Sequence, residues 1–247
     1  MPRAIASNVV ETAHSTLVTG PTWQRRDTVT TAEVCFINLL SGIGRCVHVS
    51  FPPEITQRLR STPEQMAAAW VGESPSKVEP VVLVPYNPCW PRMFDEQADT
   101  IRKALAGQQI TTEHVGSTAV PGLAAKPIID IDLIVTDSAD EATYVPQLEQ
   151  AGFRLVLREP SWHQHRMLAR TDPAVNLHVF SPNAPEHIRH LVFRDWLRTH
   201  PSDRDLYETA KRHLAAKTAD TPTDYNLAKN PIIDEIYGRA FDHTAQR

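Results

Sequence analysis

The stretch from Thr112 to Val135 reads TEHVGSTAVPGLAAKPIIDIDLIV, and its second half decides the fold. Residues two apart on a strand point to the same side, so Asp130 and Asp132 share one face of IIDIDLIV while Ile129, Ile131, Leu133 and Val135 share the other. Two neighbouring carboxylates are costly to bury without a partner, so something cationic is expected between them, the alternative being an edge strand whose carboxylates face water. Mg²⁺ suits the position, because it takes oxygen ligands and is often held by one or two carboxylates together with substrate phosphates. Upstream, Gly116 and Ser117 follow a strand near Ile110 to Val115 and open a turn or short helix. Free backbone N–H groups and a small hydroxyl there can hold a phosphate, and glycine lets a ligand approach the backbone.

Around this stretch the chain reads as mixed α/β followed by a helical tail, with no internal repeat. Residues 1–75 form an expected accessory region. It contains AEVCFINLL, then RCVHVSF with Val47, Val49 and Phe51 alternating, then a helical segment interrupted near Pro63. SGIGRC lacks the third glycine of a dinucleotide loop. Residues 76–241 form the main domain and 242–247 a tail. VVLVPYN reads as a strand, Asn87-Pro88 as a helix start, and Met93, Phe94, Ala98, Ile101 and Leu105 recur at helical spacing up to Gly107. DEATYVPQLEQAG reads as a helix. FRLVLRE, HQHRMLAR and AVNLHVF read as strands, the last two joined as a hairpin through Thr171, Asp172 and Pro173. Three helices follow from Pro185, with Asn183, Ser202 and Thr223 as candidate caps.

Composition limits the function. The chain has 247 residues, 41% hydrophobic and 22% charged, with a formal charge of −4. It can bury a substantial core and sets up no general field for nucleic acid or an anionic membrane, so phosphate binding must come from a local cluster. No apolar run is long enough to span a bilayer and the first thirty residues lack a signal-peptide pattern, which gives a cytoplasmic expectation. The three cysteines, Cys35, Cys46 and Cys89, offer neither a disulfide framework nor a metal knuckle, and read as reduced, partly buried residues. The P-loop and GxSxG motifs are absent, which sets aside P-loop kinases and serine hydrolases.

Several clusters accompany the central motif. Lys126 lies between its halves and can neutralise phosphate. His163 and His165 share one face of HQHRMLAR and Arg166 and Arg170 the other, with a hydrogen-bonding or substrate role for the histidines. His187 and His190 have helical spacing but no HExxH acid, and read as surface. Arg194 and Arg198, one turn apart, form either a phosphate fork or ion pairs with nearby acids. Tyr207/Lys211 and Tyr225/Lys229 each place an aromatic beside an ammonium, and Lys229 is the residue most readily placed on a triphosphate. Trp90 and Trp196 read as core.

The run Glu113 to Gly122, followed by Ala125 to Ile131, closely resembles the GrpB family, which is grouped with the nucleotidyltransferase superfamily. Leu177 to Phe180, Phe193 to Arg198 and the two Tyr-x3-Lys pairs agree, and the similarity spans roughly residues 76 to 241. The resemblance implies an α/β (α+β) nucleotidyltransferase-like fold, a small mixed sheet flanked by helices. It implies Gly116 and Ser117 at the phosphate turn, Asp130 and Asp132 as metal-binding catalytic carboxylates, and Mg²⁺ or Mn²⁺ with an NTP substrate. A third acid, usual on a later strand, is replaced by His178, which would complete the metal site or act as base. Lys126, Arg194 and Lys229 become nucleotide-binding candidates, and His114, His165 and Arg166 substrate-binding ones. The expected activity is transfer of a nucleoside monophosphate to a small-molecule or protein hydroxyl. The alternative is a non-catalytic nucleotide-binding or folding-assistance module, and residues 1–75 are a candidate partner-docking region.

Overall fold

A computed structural model describes residues 51–72, 81–218 and 224–245, all within the unit Val34–Arg247. AEVCFINLL, SGIGRC, Val47, Val49, Thr223, Cys35 and Cys46 lie outside the described residues. In chain order, two short helices α1 (Pro53–Thr56) and α2 (Pro63–Ala68) precede α3 (Trp90–Ala104). Next come β1 (Thr111–Val115), β2 (Ile129–Ile134), α4 (Val145–Gln150), β3 (Arg154–Glu159), β4 (His165–Thr171) and β5 (Ala174–Phe180). The chain closes with α5 (Pro185–Thr199), α6 (Pro201–Lys217), α7 (Asp224–Ala228) and α8 (Asn230–Ala245).

The five strands form one sheet in the order β1-β2-β5-β4-β3. β2 pairs with β5 in parallel, and the remaining neighbours are antiparallel. The apolar side of β2 behaves as its alternation demands: Ile129, Ile131 and Leu133 pack with Leu168, Val175, Leu177 and Val179 under Trp90 and Ile101 of α3, Leu105 just after it, and Leu148 of α4. A second cluster joins Val120 and Leu123, after β1, to Leu197 of α5, Tyr207 of α6 and Ile236 of α8. The helical tail is thereby fixed beside the turn that carries Gly116 and Ser117. No helix among the described residues is long and apolar enough to cross a membrane.

Several expectations need correction. VVLVPYN forms only an isolated bridge, Val84 with Ala125, because the chain meets the sheet's neighbourhood at one point and then turns into α3. Asn183 and Ser202 cap nothing: Ala184 and His200 precede the helices, neither with a side-chain cap bond. The last helix is split into α7 and α8 by a turn at Lys229, and α8 continues to Ala245, into the stretch read as a tail. Cys89 is exposed. His163 is not on a strand; it lies in the turn before β4 with φ of +55°. The described part of the accessory region packs on the main domain, with Val71 donating to the Val156 carbonyl and Arg158 N–H to the Ala69 carbonyl.

Leu177 is fully buried on β5 within the apolar cluster. Leu177→Ala should cost about 2–5 kcal/mol in urea unfolding; a loss below about 1 kcal/mol would show that this layer is not the core.

Candidate functional site

The opposite face of the sheet carries the polar side chains singled out by the sequence. Gly116 follows β1 with φ of +70°, and a Cβ placed there would lie 2.3 Å from Asp130 Oδ2. Glycine is therefore required both by its conformation and by the carboxylate pressed against it. Ser117 opens a short 3₁₀ turn, Ser117–Ala119. Asp130 accepts a hydrogen bond from Asn176 Nδ2 on β5 at 2.9 Å. Burial pushes its carboxyl above the usual range, partly opposed by that bond and by Lys229.

Asp132 is fully buried, and its partners come from α5. His187 Nδ1 donates to Oδ2 at 2.8 Å, and His190 Nδ1 lies 3.0 Å from each oxygen. Burial alone would raise Asp132, but the charged His190 and the two imidazole hydrogen bonds outweigh it and hold the carboxyl well below its ordinary range. Burial likewise opposes charge on His190, yet Asp132 carries it up to about 9. The surface reading of His187 and His190 is therefore overturned: His190 supplies the cation that a buried carboxylate requires, and His187 a second hydrogen bond. The available signal was a pair of histidines one helical turn apart in a chain with an uncompensated strand carboxylate.

His178 reaches Asp130, with Nε2 to Oδ1 at 4.0 Å. Behind it runs a relay: Glu159 Oε2 is 2.7 Å from His165 Nδ1, and His165 Nε2 is 3.1 Å from His178 Nδ1. An ionised Glu159 makes His165 a donor at Nδ1 and an acceptor at Nε2, which makes His178 a donor at Nδ1. The Nε2 lone pair of His178 is thereby left facing the Asp130 side. Burial, reinforced by His165, lowers His178 to about 3, so it is neutral near pH 7.

Three lysines surround the turn from the helical side. Lys211 on α6 is buried and donates to Ser117 Oγ at 3.1 Å and to the Ala124 carbonyl. Lys126 and Lys229 both lie over the Tyr225 ring, each with Nζ 4.8 Å from its centroid. Burial and the neighbouring Lys229 lower Lys211 to about 7. Burial and Lys126 lower Lys229 to about 8, against the pull of Asp130. Lys126 is also lowered, chiefly by burial. These are crowded ammonium groups that a bound anion would recharge.

Other candidates fall elsewhere. His114 pairs in register with Ile131 and faces the apolar side, where it stacks on Phe94 and bonds Thr118. Burial takes it down to about 4. Arg166 also points to that side and is held by Glu141 at 2.6 Å, so neither residue reaches the aspartates. Arg194 borders the site but is engaged by Glu113 and Asp195. Trp90 is core, whereas Trp196 is half-buried and stacks on His200.

The implied metal pair does not fit these side chains. Both oxygens of Asp132 are occupied by imidazole N–H groups, and among the described residues no three His, Cys, Asp or Glu side chains are grouped to hold an ion.

The fold is an α/β one, a mixed five-stranded sheet whose polar face gathers two carboxylates on a central strand, a Gly-Ser turn and converging lysines. The GrpB protein family matches residues 80–239, and the chain belongs to that family. It is 48% identical over 191 residues to a UPF0157 protein of Halalkalibacterium halodurans, covering 76% of this chain and 98% of that one. A crystal structure of conserved protein GrpB from Enterococcus faecalis aligns with a TM-score of 0.59 and 31% identity, over 66% of this chain and 98% of that one. A dephospho-CoA kinase of Mycolicibacterium paratuberculosis is 31% identical over 191 residues, but the match spans 66% of this chain and only 46% of that protein.

Gly116→Ala should lower stability by about 1–3 kcal/mol in chemical denaturation, through strain at positive φ and displacement of Asp130. A neutral change would contradict the close approach. Histidine titration followed by NMR gives a second check. His190, raised in the fold, contributes stability that is complete below its unfolded value and is lost as pH rises towards about 9. His178, lowered in the fold, contributes the opposite: stability is lost as pH falls from the unfolded value towards about 3. The two windows meet near the unperturbed histidine pKa of about 6.5, where their joint contribution peaks. Asp132→Asn should bring His190 down by at least one unit, and an unchanged His190 would remove Asp132 as its cause.

Proposed function

We propose that this chain binds a nucleoside triphosphate through the Gly116–Ser117 turn and Lys126, Lys211 and Lys229, and transfers its nucleoside monophosphate to a hydroxyl. The observation that carries this reading is the lysine cluster. Ammonium groups whose charged form is disfavoured by burial and mutual repulsion gather at a Ser turn, beside a carboxylate too distant to pair with them. Phosphate oxygens would relieve that repulsion and accept from Ser117, the lysines and the turn's backbone N–H groups.

In the transfer, the acceptor oxygen attacks the α-phosphorus and the bond to pyrophosphate breaks. The acceptor's proton passes to His178 Nε2, whose lone pair the Glu159–His165 relay orients. A base near 3 is weak, but bound phosphate adds negative charge that favours the imidazolium and raises it. The lysines take up the charge developing on pyrophosphate. Asp130 accepts a hydrogen bond from the attacking hydroxyl or positions it. None of these steps uses a divalent ion, because the hydrogen bonds on Asp132 leave its oxygens engaged. The kinase name of two relatives, matched over less than half their length, is weaker support for phosphate chemistry.

Calorimetry with each NTP tests the reading. Binding should survive chelation of divalent ions and weaken at least tenfold in a Lys126→Met/Lys229→Met variant. Binding by no NTP would leave the family fold as a partner-binding module. His178→Asn should retain binding and lose transfer by at least a hundredfold once an acceptor is found.

A further inference from the structure

Arg58 lies ahead of the family match, which begins at residue 80, yet it borders the same cavity as the phosphate turn. That cavity, of about 180 Å³, is lined by Gly116, Ser117, His190, Arg194, Tyr207 and Arg58 among others. The segment around Arg58 is anchored along its length. Arg189 Nη1 donates to the Ile55 carbonyl at 2.6 Å, Trp162 Nε1 to the Leu59 carbonyl at 3.1 Å, and Arg158 N–H to the Ala69 carbonyl at 2.8 Å. A capping box at Thr62 and Gln65 stiffens α2.

Asp234 on α8 orients Arg58 through Nε at 2.7 Å. The guanidinium's Nη2 is shielded from solvent and has no hydrogen-bond partner. An unpaired charged N–H is costly, and Arg58 is among the residues that line the cavity, where Glu186 Oε2 is likewise without a hydrogen-bond partner. The neighbouring charges in this cavity are His190, raised by Asp132, and Arg194, already engaged by Glu113 and Asp195; Glu186 is the wall's acid, 3.1 Å from Arg189 Nε. The volume is below the ~300 Å³ of ordinary ligand pockets and well above the ~30 Å³ share of one water. It suits a phosphoryl group better than a nucleoside.

Ser117 touches both regions. It accepts from Lys211 on one side and lines the Arg58 cavity on the other. We propose that residues 51–72 are a strap that completes the anion site. Arg58 binds a second phosphoryl group across Ser117 from the lysines, so that the chain selects ligands with linked phosphates over single ones. This rests on the phosphate reading of the lysine cluster and adds to it a residue and a specificity.

The test is calorimetry on the full chain with pyrophosphate and with orthophosphate as probes. Wild type should prefer pyrophosphate. Arg58→Gln should weaken pyrophosphate at least tenfold and leave orthophosphate within twofold, Arg58→Lys should recover part of the loss, and Lys229→Met should weaken both. Asp234 keeps Arg60 as a partner at 3.2 Å, which favours folding of the Arg58 variants, and thermal melting verifies it. If Lys229→Met loses both ligands while Arg58→Gln changes neither, the strap proposal falls and the phosphate site stands. If Arg58→Gln weakens both ligands equally, Arg58 is only structural and the proposal is overturned. If wild type binds neither probe, the phosphate reading falls and the role of Arg58 with it.

Discussion

The buried carboxylate of Asp132, clamped by His187 and His190, holds the functional face together. A fully enclosed charge on a central strand is tolerable only with close, hydrogen-bonded compensation. Here that compensation comes from α5, so the electrostatic demand of one strand residue fixes a whole helix against the sheet. From α5 follow the position of Phe193 and Leu197 over the Gly-Ser turn, the seat of α6 and α8 against them, and the arrival of Lys211 at Ser117.

The two aspartates, equivalent by sequence pattern, thereby acquire different roles. Asp132 is satisfied and serves the architecture. Asp130 is partly exposed, has Asn176 as its close hydrogen-bond partner, and stands between the neutral His178 and the lysines. Environment pushes their pKa values in opposite directions, the pattern by which proteins assign distinct tasks to paired carboxylates. The relay behind His178 extends the logic: each proton position is set by the next acceptor, ending at Glu159.

Much of this was legible in the chain. Alternation in IIDIDLIV specified which side of β2 would be buried, and the Gly-Ser pair marked a turn that a side chain at Gly116 would block. The Tyr-x3-Lys spacing placed Lys211 and Lys229 beside aromatic rings, as found. What failed depended on long-range pairing. A His-x2-His helix face has the same local pattern whether it meets solvent or a sheet, so His187 and His190 could not be placed without knowing that α5 crosses Asp132. His114 was misplaced because its face is set by pairing with Ile131. Naming both His165 and Arg166 as substrate residues overlooked the strand period itself, since adjacent residues face opposite ways. Glu159 became visible only through the β3–β4 register that sets it opposite His165.

A crystal structure of the protein with an NTP and Mn²⁺ tests the central claim most directly. The triphosphate is expected on the Gly116–Ser117 turn among Lys126, Lys211 and Lys229, with Asp132 still held by His187 and His190. A metal ion bridging Asp130 and Asp132, with His190 turned away, would contradict it.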